Sequence, residues 1–251
     1  MHLSEMSWTD AADVETSLAV LPVGSTEQHG PHAPLGTDYL TAAAVAERGV
    51  DRYDGAAVIA PTIPVGVASE HRQFAGTLWV TADTFRAYVG ETVESLASHG
   101  WDRVVVVNGH GGNVSALREV CETIVRTERA YAVPFTWFDA IDYADIDPGL
   151  RMGHGGAVET SVVQRIRPEL VDADRFEEAA AGAAAGWGEW LSGVNLAYDS
   201  AEFSDTGVVG DPRSSSPELG EQLLNSAATA LAALLEAVRE RDISREPRRE
   251  R

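Results

Sequence analysis

Residues 103–113 read RVVVVNGHGGN. Four successive valines make a continuous β-branched run, the pattern of a parallel strand covered on both faces. The run ends in the glycine-rich turn Asn108–Asn113, and an apolar periodicity from Val114 to about Arg129 predicts a helix behind it. Outward from this unit, Tyr131–Trp137 reads as the following strand. Upstream, Asp83 is the expected cap of a helix that runs to His99 and stops at Gly100. Ala56–Ala60 is a short buried strand, and Leu18–Leu21 is another that ends at Pro22, with a helix from Asp38 to Arg52 between them. Strand and helix alternate at the spacing of βαβ units, which predicts a three-layer α/β/α sandwich around a mostly parallel central sheet. In such sheets ligands bind outside the carboxyl ends of the strands. Two loops leave carboxyl ends here, 22–38 and 108–113.

The first of these loops is dense in chemistry. Glu27, His29, His32 and Asp38 follow the strand, with glycines at 24, 30 and 36 and prolines at 31 and 34. Glu27 and His29 are two apart, so an extended backbone points both to one side. Carboxylates and imidazoles converging at a strand end form the ligand set of hard-to-borderline divalent metals. His110, flanked by glycines at 109, 111 and 112, adds a further donor from the second loop. NGHGGN lacks the spacing of a phosphate-binding loop, and no glycine-rich dinucleotide fingerprint follows the first strand.

Composition narrows the partners. The 251 residues carry 39 acidic against 19 basic side chains, all of the latter Arg, for a net charge of −20. That balance argues against nucleic acid or an anionic membrane as a partner and fits a halophilic protein adapted to high salt. No apolar run approaches a membrane span, the N-terminus MHLSEMSWTD has no signal-peptide pattern, and a lone Cys121 allows no internal disulfide. The expected location is cytoplasmic. One domain over residues 1–240 and a charged, frayed tail over 241–251 are expected.

The second half is less regular. It contains Gly153-His154-Gly155-Gly156, a helix from Ala157 with Glu159 in its first turn, the small-residue tract EEAAAGAAAGWGEW (177–190) that can form a helix, and a terminal helix from Glu218 to Arg239. The connection 61–77 is long but keeps Ile63, Val65, Val67 and Phe74, so it is expected to be ordered.

EQHGPHAPLGTD (27–38) resembles the signature of the creatininase family of metal-dependent amidohydrolases, and NGHGGN (108–113), GHGGAVET (153–160) and GVVGDP (207–212) are similar to further stretches of that family. The resemblance implies two divalent ions per subunit, Zn²⁺ with Fe²⁺ or Mn²⁺. Glu27 and His110 would hold one, His29 the other, and Asp38 would bridge them. Creatinine-cleaving members carry a glutamate two residues after the histidine of NGHGGN; here that position is Gly112, and Glu159 is the carboxylate expected to complete the second site. The resemblance also makes His154 the proton shuttle and assigns Ser69, Glu70 and His71 to the substrate pocket.

Three substrate types follow from the family: creatinine, a formamidopyrimidine ribosyl phosphate of riboflavin and deazaflavin biosynthesis, or a short modified peptide. The expected reaction is hydrolysis of a non-peptide C–N bond of a small molecule, and the formamidopyrimidine is the choice among the three, with Arg72, Arg151 and Arg213 as phosphate contacts. A non-catalytic metal-binding protein is the alternative from another class. A homo-oligomer, dimer to hexamer, is implied, with the 177–190 tract, Trp187 and Trp190 at its interface.

Overall fold

A computed structural model describes residues 1–243 of the chain. Strands β1 (Leu18–Val23), β2 (Val58–Ile59), β3 (Arg103–Asn108) and β4 (Tyr131–Thr136) form one sheet in the order β2-β1-β3-β4. All pairings are parallel, and β1 and β3 run in register from Leu18 opposite Arg103 to Val23 opposite Asn108. Alternation along the strands then builds two cores. Leu18, Val20, Val105 and Val107 pack under helices α2 (Thr37–Arg52), α5 (Ala157–Ile166) and α7 (Pro217–Glu240). Ala19, Leu21, Val104 and Val106 face α3 (Ala82–Ser98) and α4 (Val114–Arg126). The valine run is fully buried because helices cover both of its faces. This is the expected α/β/α sandwich. Cys121 belongs to the second core, and burial pushes its thiol up to about 12.

The strand order places the site. After β1 the chain goes outward to β2, then returns past β1 to β3 on the other side. The loops after β1 and β3 therefore diverge at a switch point, the usual crevice of an open parallel sheet. The first turn of α2 is wedged into it. A Cβ at Gly24 would lie 2.4 Å from Tyr39 N, and one at Gly109 would lie 2.1 Å from Asp38 O. Only glycine permits that approach of helix to strand tips.

Several boundaries differ from expectation. β1 continues through Pro22 to Val23: the Pro22 carbonyl accepts from Ile63 N–H, so its nitrogen faces the side where the two-residue β2 has already ended and no ladder donor is missed. Thr81, not Asp83, caps α3, its hydroxyl accepting from Thr84 N–H, while Asp83 pairs with Arg86. Helix α4 ends at Arg126.

The 177–190 tract is not one helix. Helix α6 (Phe176–Ala181) stops at Gly182, and a hairpin of β5 (Trp190–Leu191) and β6 (Val194–Asn195) follows. Its loop, Ser192-Gly193, has φ of 52° and 81°, the double positive φ that two-residue hairpin turns require. The charged tail expected beyond Arg241 lies, after Ile243, outside the described residues. Among the described residues no helix is long and apolar enough to cross a membrane.

Candidate metal centre

Five segments converge on the crevice: the loop after β1, the first turn of α2, the tip of β3, the first turn of α5, and a 3₁₀ turn at Ser69–His71. The β1 loop is closed by Glu27 N–H donating to Leu35 O at 2.9 Å. Asp38 sits inside the first turn of α2, whose cap position is Gly36, and turns its carboxylate away from the helix. Glu27, His29, Asp38, His110 and Glu159 are all buried.

With both imidazoles neutral, as they are when binding a metal, the donor atoms of these residues face one another without hydrogens between them. His29 Nδ1–H donates to the Glu27 main-chain carbonyl at 3.2 Å, which leaves Nε2 bare, 3.0 Å from Asp38 Oδ1 and 3.6 Å from Glu159 Oε2. His110 Nε2–H donates to Val67 O at 2.7 Å, leaving Nδ1 bare, 3.1 Å from Glu27 Oε1 and 3.2 Å from Asp38 Oδ2. Each imidazole has its outer N–H tied to a backbone carbonyl, the arrangement that fixes the tautomer and aim of a metal-ligating histidine. Both Glu27 oxygens, His29 Nε2 and Asp38 Oδ2 have no hydrogen-bond donor. Buried lone pairs left unmatched cost stability unless a cation satisfies them. Among the described residues three groups, Glu27–Asp38–His110, His29–Glu159–His154 and Glu27–His71–His154, have donor atoms close enough to hold an ion. Asp38 presents one oxygen to His110 and the other to His29, as a bridging carboxylate would.

The electrostatics have the same origin. Burial disfavours the charged forms of His29 and His110. The carboxylates beside them, Asp38 and Glu159 for His29, Glu27 and Asp38 for His110, outweigh it and hold both well above the usual imidazole range. Burial raises Glu27, with Asp38 adding to the effect, whereas at Asp38 the two imidazoles overcome burial and hold the carboxyl low. A cation in the cluster takes over the role of those protons.

His154 is not on a flexible surface loop. It is 6% exposed, its ring lies 4.2 Å from that of His29 and 4.3 Å from that of His71, and its Nδ1 is 3.8 Å from Glu27 Oε1. Burial, with His29 and His71 as like charges, keeps it neutral. His71 is equally buried, its Nε2 3.4 Å from Glu27 Oε1, and burial lowers it to about 3. Glu70 and His71 line a 370 Å³ cavity together with Asp38, His110, His154 and Glu159. Ser69 does not; it is exposed, with its carbonyl accepting from Arg72. His32 is turned away as well, bonding Thr160 at 2.9 Å and packing edge-on against Phe176. At Gly112 a Cβ would lie 2.4 Å from His110 Nε2 and 2.6 Å from Glu70 Oε1, so the space beside this glycine is already filled by Glu70.

Two contributors escaped the sequence reading. Gln28 lies between two ligand positions, yet its neutral side chain carries no chemical signature; only its place inside EQHG marks it. Trp187, expected at a subunit interface, turns inward, with its ring 5.5 Å from His71 and 5.2 Å from Phe203. Of the three arginines expected to bind phosphate, Arg72 is paired with Asp199 at 2.5 Å and Arg213 with Asp211 at 2.8 Å.

A family model described as creatininase, creatinine amidohydrolase, matches residues 4–235. This chain belongs to the creatininase family. The mycofactocin precursor peptide peptidase of Mycobacterium ulcerans is 39% identical over 211 residues, 81% of this chain and 78% of that protein. The creatinine amidohydrolase of Pseudomonas putida is 29% identical over 197 residues, 70% of this chain and 75% of that protein. A solved manganese form of creatininase superposes with a TM-score of 0.82 at 26% identity, covering 96% of this chain and 99% of that one. The chain is thus an amidohydrolase of the creatininase family, and its parallel sheet with flanking helices is the creatininase fold.

Proposed function

We propose that this creatininase-family enzyme hydrolyses an amide bond of a short, modified precursor peptide. The observation that carries the reading is the shape of the site. The 370 Å³ cavity beside the metal ligands shares Met152, Gly153 and Trp187 with an adjoining groove of 590 Å³, itself floored by Gly149, Gly156 and Gly210. Creatinine needs no such extension, whereas a peptide must place chain on one or both sides of the scissile bond. The similarity to a precursor-peptide peptidase points the same way. The formamidopyrimidine phosphate is not favoured, because Arg72 and Arg213 are committed to acidic partners.

In this reading Glu27, Asp38 and His110 would hold one divalent ion and His29, Asp38 and Glu159 the other. When bound, such a pair polarises the amide carbonyl and makes water a nucleophile near neutral pH. The chain's own residues do the rest. His154, neutral and with Nδ1 towards the cavity, takes the proton from the attacking water and returns it to the leaving nitrogen. Glu70 and the Trp187 edge form walls against which substrate is positioned.

The test is a competition by mass spectrometry. Metal-loaded protein in molar salt is offered peptides of four to eight residues, creatinine and a formamide. Cleavage of a peptide with kcat/KM above that for the other two supports the proposal. Hydrolysis of creatinine in preference to every peptide overturns it.

A further inference from the structure

We propose that Gln28 is a positioning residue that sets which ring nitrogen of His71 and of His154 carries the proton. The functional weight of the inference rests on the hydrolase reading above, but the tautomers themselves do not depend on any substrate.

The hydrogens can be assigned from contacts that admit only one direction. Gln28 is buried, and its Oε1 accepts from Gly30 N–H at 2.9 Å, which fixes the amide and forbids the flipped orientation. Its Nε2 lies 3.0 Å from Gly207 O and 2.8 Å from His71 Nδ1. Gly207 O can only accept, so one amide hydrogen goes there and the other to His71 Nδ1. Ser200 Oγ, 3.0 Å from the same ring nitrogen, gives its hydrogen to Glu70 O at 3.1 Å. His71 therefore has a bare Nδ1 and carries its proton on Nε2, 3.4 Å from Glu27 Oε1.

The main chain of Gln28 treats His154 in the complementary way. Its carbonyl lies 2.6 Å from His154 Nε2, a distance at which a bare nitrogen would set two lone pairs face to face. His154 Nε2 thus carries the proton, the 2.9 Å approach of Gln28 Nε2 to it is a packing contact, and Nδ1 is left as a lone pair towards the cavity. One residue turns the His71 Nε2–H towards the Glu27 carboxylate, 3.4 Å away and not hydrogen-bonded to it, and leaves His154 an acceptor ready for the proton of water.

The assignment also explains part of the GVVGDP stretch that no ligand role accounts for. Gly207 has φ of 76°, and a Cβ there would lie 2.1 Å from Gln28 Oε1. Gly207 is the residue that leaves room for the amide.

The experiment uses zinc-loaded protein labelled with ¹⁵N-histidine, read by long-range ¹H–¹⁵N correlation spectra. In the unaltered protein both His71 and His154 should appear as Nε2–H tautomers. His71 protonated on Nδ1 would overturn the proposal without any variant being needed. Gln28→Glu, whose side chain can only accept there, should move the His71 proton to Nδ1. Gln28→Leu should leave His71 as a mixture and lower kcat roughly 10–100-fold with KM and zinc content unchanged, the effect of losing a partner that orients a site residue. Gln28→Asn, which keeps the amide, should restore part of that loss. Tautomers at His71 that stay put in both Gln28→Glu and Gln28→Leu would refute the assignment. Intact tautomers with no peptide cleaved would refute the proposed substrate instead.

Discussion

Asp38→Asn separates a bridged pair of ions from two independent sites. Asp38 offers Oδ1 to the His29 side and Oδ2 to the His110 side, so its replacement removes an anionic donor from both proposed ion sites at once. Each side keeps two other protein donors, Glu27 with His110 and His29 with Glu159. Structural zinc sites with four ligands bind with roughly 10–16 kcal/mol, or about 3–4 kcal/mol per ligand. At about 1.4 kcal/mol per decade, losing one ligand weakens each ion roughly 10²–10³-fold. The assay is elemental analysis after equilibration against a graded series of chelator. The unaltered chain should hold two ions per subunit, Glu27→Gln should lose one of them at low chelator, and Asp38→Asn should lose both together. Asp38→Asn that sheds one ion and keeps the other at unaltered affinity would refute the bridging geometry.

Two further outcomes follow from the surface. Glu221 accepts from both Arg48 and Arg165, whose guanidinium groups hold its carboxyl down at about 2 against an ordinary 4.5. The folded value is the lower one, so the pair stabilises above pH 4.5 and the contribution is lost as pH falls towards about 2. With the carboxylate a third exposed, Glu221→Gln should cost only about 0.5 kcal/mol, seen by urea unfolding at pH 6 and vanishing at pH 2. A homo-oligomer is expected from the sequence, and the hairpin exposes Trp190, Leu191 and Val194. With a net charge of −20 per chain, association should weaken as the Debye length grows from about 3 Å at 1 M salt to about 10 Å at 0.1 M. Light scattering across that series checks it, and a monomer at high salt contradicts it.

The sheet was legible because its signal is local: four valines in a row are buried wherever they go, and glycine-rich turns at both strand ends announce the crevice. Thr81 was missed as a cap because two neighbouring polar residues compete for the role and only the backbone decides between them. The hairpin at 190–195 was obscured by the alanine-rich run just before it, which favours helix, while the turn information sat in a Ser-Gly pair. Among candidate site residues, Glu27, His29, Asp38 and His110 were marked by residue type and spacing, whereas the roles of Glu159 and His154 came only from the family resemblance. Gln28 acts through the hydrogens it donates to groups far along the chain, which no local pattern encodes. Ser69 was drawn in by its neighbours Glu70 and His71; in a 3₁₀ turn successive side chains diverge, so one of the three faces solvent.

The contact of α2 with the strand tips divides the enzyme into parts with different freedoms. The spacing between the Asp38 carboxylate and His110 is set by backbone touching backbone at Gly24 and Gly109, not by the fit of apolar side chains. A helix seated this way cannot slide without dragging β1 and β3, so the candidate metal platform moves as one body and tolerates drift in its surroundings. The rim is built otherwise: Glu70, Trp187 and the β5–β6 hairpin belong to connections that supply no bridging ligand. Selection can therefore remodel the rim to admit a new amide while the platform stays unchanged, so that one scaffold can serve both a small cyclic amide and a peptide.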